Sequence, residues 1–313
     1  MRAAVLHAHG AIPEPGEFRD PEAADGDEVV EIVAAGMNPV DIRIASGAFA
    51  LERHEPPYVA GKEGVGRRAD GSLVYFDASR EPFGAFAERG LLAAGSGQPL
   101  PDGLDPALAV CLGVSGLAAW LSLEWRAGLR AGETVLVLGA SGVVGQIGVQ
   151  AAKLLGAGRV VAAARSAEGL ERARRLGADA VVALEGTDDL TGALREASGG
   201  AGYDVVLDPL WGEPLRAALG AAAPFARFLG VGQSAGAEAS LSSAAIRSTP
   251  VDLLGYTNYT AGEERRAAGY QRLARHAAAG EITVEIERIG LQDVPDAWQR
   301  QGSSPGRKLV VVP

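Results

Sequence analysis

The chain has 313 residues, with 29 Lys plus Arg against 39 Asp plus Glu, a formal charge of −10, 47% hydrophobic residues and one cysteine. That hydrophobic share excludes a disordered chain, and the acidic balance excludes a general nucleic-acid binder, which needs clustered Lys and Arg. One cysteine closes no internal disulfide and supplies no cysteine zinc cluster.

The opening Met1-Arg2-Ala3-Ala4-Val5-Leu6 alternates and is followed by His7, His9 and Gly10. It lacks the apolar core and cleavage site of a secretory signal. No stretch approaches the roughly 20 apolar residues of a membrane span, and residues 308–313 carry no lipidation or retention signal. The expectation is a soluble, cytoplasmic protein with no membrane partner. Residues 28–35 are a compact apolar run between Asp25-Gly26-Asp27 and Gly36, which predicts a strand. Breakers then crowd the chain at Asn38-Pro39, Pro56-Pro57, Gly61, Gly64-Val65-Gly66 and Asp70-Gly71. Residues up to about 105 therefore read as short strands and turns, with further strands at 72–76 and 84–89.

Small apolar residues from 107 to 122 predict a helix. A regular alternation follows: strand 134–138, helix 143–155, strand 159–164, helix 167–176, strand 180–183, helix 188–197, strand 203–208, helix 213–222, strand 225–231 and a sixth strand at 251–256. Such alternation implies parallel βαβ units and a doubly wound sheet, an α/β fold. The tail departs from it, with a helix at 262–279, an alternating strand at 282–289, a helix at 293–301 and a strand at 308–312. These patterns divide the chain into a β-rich first domain over 1–106, an alternating α/β domain over 107–258, and a tail over 259–313 whose strands are free to return to the first domain.

The most informative stretch is Gly139-Ala140-Ser141-Gly142-Val143-Val144-Gly145, set between a buried strand and an apolar helix. Ala140-x-Gly142-x-x-Gly145 has the spacing of a dinucleotide fingerprint in the context that the fingerprint requires. Gly142 lets the backbone approach a pyrophosphate, Gly145 lets the helix pack on the strand, and the helix amino end offers N–H groups to phosphate. A tight strand-to-helix turn without a ligand is the alternative. The second strand ends at Arg165-Ser166, where an NAD site usually places Asp or Glu. Arg165 pairs with a 2′-phosphate and Ser166 donates to it, which favours NADPH, that is NADP(H) as cofactor. Arg172 is a possible second partner; a solvated Arg165 is the alternative reading.

These residues match a known family. The chain resembles the medium-chain dehydrogenase/reductase superfamily, in its zinc-independent, quinone-oxidoreductase-like branch. The matching pieces are Asn38-Pro39-Val40-Asp41, Gly61-Lys62-Glu63-Gly64-Val65-Gly66, Gly84-Ala85-Phe86-Ala87-Glu88 and Ser115-Gly116-Leu117-Ala118-Ala119-Trp120. They continue through Ala131-Gly132-Glu133-Thr134-Val135-Leu136-Val137, Leu176-Gly177-Ala178-Asp179, Asp204-Val205-Val206-Leu207-Asp208 and the closing Arg307-Lys308-Leu309-Val310-Val311-Val312-Pro313. The resemblance implies a GroES-like β domain, an inserted Rossmann domain, a chain end that rejoins the first, and a homodimer. It places Asn38 and Asp41 as candidate catalytic residues near the nicotinamide, with Asn38 on the carboxamide or the substrate oxygen. It places Ser115 at the nicotinamide-side phosphate, Gly230, Gly232, Gln233 and Ser234 in the loop along the nicotinamide half, and Tyr256 and Asn258 in the adenosine-phosphate or cleft region.

Zinc-dependent relatives carry a cysteine where this chain has Asn38 and a histidine where it has Lys62. Cys111 lies in an apolar run and reads as core. His7, His9, His54 and His276 offer no set at ligand spacing, so no metal is expected. Three departures stand out: Ile42-Arg43-Ile44 where the family often has a tyrosine, a short segment between Gly66 and Gly84, and Trp211 in place of a small residue, either intruding on the cleft or packing under the sheet rim. The implied activity is NADPH-dependent, metal-independent reduction of quinones or α,β-unsaturated carbonyls, with a small-molecule electron acceptor as partner. A pathway-specific enoyl reductase and a non-catalytic NADPH-binding sensor are the alternatives.

Overall fold

The computed structural model describes residues 1–313, apart from the side chain of Ala245. The chain divides into two compact units, one of residues 1–114, 270–280 and 284–313, the other of residues 115–269 and 281–283.

The first unit holds β1 (Arg2–Leu6), β2 (Glu14–Glu17), β3 (Asp27–Gly36), α1 (Pro39–Ala45), β4 (Tyr58–Val59), β5 (Glu63–Arg67), β6 (Leu73–Phe76), β7 (Arg89–Ala93) and β8 (Gln98–Pro99). β1 lies antiparallel between β2 and β4. β3 pairs antiparallel with β5 and β7, and its register slips between Ile32 and Ala34. The short helix α1 sits where only a turn is expected. Asn38 ends the extended backbone, Pro39 opens the first turn, and the Asp41 carboxylate takes the Asn38 N–H at 2.6 Å. Proline at the first helical position and an acid in the first turn are both helix starters.

The expected strand at 84–89 is corrected: the ladder starts only at Arg89. Upstream, a Cβ on Gly84 would lie 2.1 Å from the Val59 carbonyl oxygen, and the segment folds across β4 through Ala85 N–H to Gly61 and Phe86 N–H to Ala60.

Pro106–Arg126 is one helical run of 21 residues: α2 (Pro106–Cys111), α3 (Leu117–Leu121) and two π-type turns, over 112–116 and 122–126. By length and composition it could cross a membrane, which corrects the expectation that no stretch approaches that length. Of its most apolar window, 78% is buried inside the molecule.

The second unit is the alternating one. β9 (Thr134–Leu138), α4 (Val143–Leu154), β10 (Arg159–Ala164), α5 (Ala167–Arg175), β11 (Ala180–Ala183), α6 (Leu190–Ala197), β12 (Tyr203–Asp208), α7 (Gly212–Gly220), β13 (Ala222–Gly230), α8 (Ser243–Ser248) and β14 (Val251–Gly255) follow in turn. The six strands are parallel in the order β11-β10-β9-β12-β13-β14. Numbered within the sheet this is 3-2-1-4-5-6, the doubly wound dinucleotide-binding order. β9 and β10 are almost wholly buried because helices cover both faces, and Leu136, Leu138, Val161, Ala163, Val206 and Phe228 form the middle of the core. The fold is thus α/β, with a parallel Rossmann sheet in one unit and a GroES-like β-rich sheet in the other.

After α9 (Glu263–Ala278) the chain supplies β15 (Ile286–Ile289), α10 (Val294–Gly302) and β16 (Lys308–Val311). β16 pairs antiparallel with β3 and parallel with β15, so the tail completes the larger sheet of the first unit. The expected strand at 282–289 starts only at Ile286; Thr283 instead exchanges two hydrogen bonds with the Gln150 side chain.

Candidate functional site

In the second unit the predicted residues gather at the carboxyl ends of β9, β10, β12 and β13, the edge at which open α/β sheets bind ligands. Gly139 turns the chain with φ +60°, and Ala140 N–H holds the turn to the Ala163 carbonyl at 2.9 Å. A Cβ on Gly145 would lie 2.4 Å from the Gly139 oxygen and 2.5 Å from the Ala140 Cα, so only glycine allows α4 to start this close to its strand. A Cβ on Gly142 would meet only the Gly139 oxygen, at 3.4 Å. The loop thus leaves open space over Gly142, and the first N–H groups of α4, from Val143, Val144 and Gly145, have no intrahelical partner. An anion fits this cradle.

Ser166 caps α5, its Oγ accepting the Gly169 N–H at 3.1 Å. A Cβ on Gly169 would lie 2.5 Å from the Ser141 Cβ, so the start of α5 lies against the glycine loop and brings Ser166 beside it. Arg165 stands 64% exposed at the end of β10, its guanidinium 4.0 Å from Glu185, a loose pairing that leaves it able to turn to a ligand. Arg172 does not stand with it: it is buried and donates to Glu168 at 2.8 Å.

Gly232 packs onto the loop after β12, since a Cβ there would lie 2.6 Å from the Pro209 oxygen. Ser234 donates to the same oxygen through Oγ, at 3.2 Å. Gly230 ends β13 beneath the Trp211 ring, and Gln233 is exposed. Trp211 packs against the sheet core, which settles the two readings of it in favour of packing. Its backbone lies at φ +60°, a conformation rare for bulky residues. The anchor is Asp208, which sequence reasoning passed over: fully buried, it accepts the Leu210 and Trp211 N–H groups at 2.8 Å each, and burial pushes its carboxyl above the usual range. Ser115 is buried in the first π-type turn. Tyr256 is buried, and its hydroxyl donates to Asn258 Oδ1 at 2.8 Å, so these two form one local pair.

In the first unit, α1 and β5 bring Asn38 and Asp41 next to a buried network. Lys308 Nζ donates to Asn38 Oδ1 at 2.6 Å and to Glu63 Oε1 at 2.8 Å. Glu63 also accepts the Asn38 amide at 2.8 Å, the Tyr75 hydroxyl at 2.9 Å and the Val114 N–H at 2.7 Å. The second Asn38 amide proton goes to the Gly36 carbonyl at 3.0 Å. Asn38 therefore spends both amide protons inside the protein, on Gly36 and Glu63, while its backbone N–H goes to Asp41 at the start of α1. Tyr75 stacks on Tyr270 with ring centroids 4.3 Å apart. Cys111 is core, its thiol pushed up to about 12 by burial.

Asp41 is the unusual acid. Burial raises its carboxyl to about 6, against the Lys62 and Asn38 N–H groups that hold its charged form; Glu63 adds to the rise and Lys308 opposes it. An acid raised on folding binds protons more tightly in the native state, so its contribution lowers stability as pH rises from about 4 to about 6 and is constant above. Two pKa units correspond to roughly 3 kcal/mol. The stability of the wild type relative to Asp41→Asn should fall by up to that amount between pH 4 and pH 7 in urea titrations; a constant difference would show that Asp41 is not raised.

Asp41 also lines a cavity of ≈ 240 Å³, with Glu52, His54, Lys62 and Trp298 among its walls. Among the described residues no group of three or more His, Cys, Asp or Glu side chains could hold a metal ion.

A family model described as zinc-binding dehydrogenase matches residues 143–274. The chain is 31% identical over 302 residues to a component of the phenolphthiocerol/phthiocerol polyketide synthase of Mycobacterium tuberculosis, a match that takes in 92% of this chain and 14% of that protein. It is 29% identical over 310 residues to prostaglandin reductase-3 of Bos taurus, covering 92% of this chain and 77% of the relative. The crystal structure of the quinone oxidoreductase from Thermus thermophilus, described together with its NADPH complex, superposes with a TM-score of 0.84 over 100% of both chains at 29% identity.

Proposed function

Because the chain belongs to the medium-chain dehydrogenase/reductase superfamily, in its quinone-oxidoreductase-like branch, we propose that it is an NADPH-dependent, metal-independent reductase of quinones or α,β-unsaturated carbonyls. The observation that carries this reading is the glycine cradle with Arg165 and Ser166 beside it. NADPH, once bound, supplies hydride. The α4 N–H groups and Gly142 hold its pyrophosphate, Arg165 pairs with its 2′-phosphate, and the Ser166 hydroxyl donates to the same group. Asn38 and Lys62, at the positions where zinc-dependent relatives carry ligands, are instead bonded to Glu63 and Lys308 in one case and to Glu52 in the other. In the first unit we assign proton exchange to Asp41, whose carboxyl burial raises to about 6 and which lines the cavity.

A pathway-specific enoyl reductase is the second reading. The match of nearly the whole chain to a segment of a polyketide synthase favours it, and substrate preference separates the two. Stopped-flow oxidation of NADPH should proceed with quinones or enones; exclusive use of enoyl thioesters would select the second reading, and no turnover with any acceptor would remove both. Arg165→Ala should weaken NADPH at least tenfold while leaving NADH within about twofold, as one lost phosphate pair of about 1.4 kcal/mol or more requires. Equal affinities of the unaltered protein for the two cofactors would overturn the assignment of Arg165.

A further inference from the structure

The cavity of the first unit has a charge pattern that the proposed chemistry does not explain. Asp41, Glu52, Asp77 and Glu81 line it against Lys62 and His54. The two cations are already engaged. Lys62 Nζ donates to Glu52 Oε2 at 2.6 Å and to the Asp77 carbonyl at 3.0 Å. His54 lies between two carboxylates, Nδ1 2.7 Å from Glu81 and Nε2 3.0 Å from Glu52. The Glu52 bond, with the Glu81 bond behind it, holds the imidazole above its usual range against the effect of burial. The remaining wall is apolar, with Ile44, Tyr58, Phe83 and Trp298. A volume of ≈ 240 Å³ exceeds the ~150 Å³ cavity that takes benzene, so one substituted ring fits.

An anion entering here meets four carboxylates against two cations, and both cations are spent on Glu52 and Glu81: Lys62 on Glu52, and His54 on Glu52 and Glu81; like charges at close range in a partly buried site repel. A neutral ring of the same shape meets the apolar wall and no net repulsion. We propose that this cavity is the pocket for an uncharged, single-ring acceptor, and that its carboxylates exclude carboxylate-bearing molecules of the same size. Specificity then comes from an unfavourable element against the wrong ligand. The assignment to an acceptor rests on the reductase reading; the charge selectivity does not.

Two arms test it. Ligand-observed NMR with benzamide and benzoate reads binding without turnover. Benzamide should bind at least ten times more tightly than benzoate. Glu81→Gln, whose side chain is 63% exposed and therefore carries little of the fold, should narrow that ratio at least threefold, and adding Asp77→Asn should narrow it further. Ala78→Trp, which fills the cavity, should abolish benzamide binding. Equal binding of the two probes, no binding of benzamide, an unchanged ratio in the charge variants, or benzamide binding that survives filling would each overturn the pocket. In the kinetic arm, NADPH oxidation with 2-cyclohexenone should exceed that with 4-oxocyclohex-2-ene-1-carboxylate at least tenfold in kcat/KM, and equal values would overturn the selectivity. No oxidation with either enone, with the benzamide preference intact, would count against the reductase reading alone.

Discussion

Replacing Lys308 by methionine is expected to destabilise the protein by about 3–5 kcal/mol, as removing one partner of a buried ion pair does elsewhere. Lys308 is 1% exposed and Glu63 0%, with 2.8 Å between their charged atoms. The substitution leaves the Glu63 carboxylate without its cation and the Asn38 oxygen without its donor. The pair itself is worth far less than its breakage costs, because both charges were desolvated to form it. The double variant Lys308→Met with Glu63→Gln should therefore recover part of the loss, since a neutral amide can still accept from Tyr75 and Val114, which Glu63 Oε2 now serves. Urea titrations of the four proteins of this cycle measure the coupling. A single variant within 1 kcal/mol of the wild type, or a double variant that loses the sum of the two singles, would show that the pair is not the keystone of this unit.

The second large effect is expected in the glycine loop, where two neighbouring glycines should fail in different ways. Gly145→Ala drives a Cβ into the Gly139 oxygen and the Ala140 Cα, both backbone. Neither can rotate away, so α4 must move off β9, costing about 1–3 kcal/mol of stability and at least tenfold in NADPH affinity. Gly142→Ala meets only the Gly139 oxygen at 3.4 Å and should keep the wild-type melting temperature. Its methyl would stand in the space assigned to the pyrophosphate, so NADPH affinity should still fall at least tenfold, about 1.4 kcal/mol. Calorimetric melting and fluorescence titration with NADPH separate the two. Wild-type NADPH binding by Gly142→Ala would remove the pyrophosphate from this cradle.

Much of the second unit was legible because its determinants are local. Thr134–Leu138, Arg159–Ala164, Ala180–Ala183 and Tyr203–Asp208 are strands with the bounds that their apolar runs predict. A buried parallel strand is a continuous hydrophobic run, and a glycine or a polar residue ends it. The loop from Gly139 to Gly145 was legible for the same reason, since the steric demand on each glycine arises within seven residues of chain. The first unit was less so. Helix α1 hid behind Asn-Pro, read as a turn, because its start depends on the Asp41 carboxylate reaching back three residues. The segment at 84–88 alternates as a strand does, yet it folds across β4, whose carbonyls approach too closely for any residue but glycine at 84.

The sequence by itself determined the parallel sheet, the phosphate-type loop and the arginine in place of an acid after β10, because each is written in residues adjacent along the chain. Only the tertiary structure decided what Asn38, Glu63 and the cavity acids do. Lys308 reaches Glu63 across 245 residues of sequence and Asn38 across 270, and Asp41 shares a cavity wall with Trp298. A buried charge is tolerable only beside its partner, and that partner is supplied by the way the last strand closes the sheet.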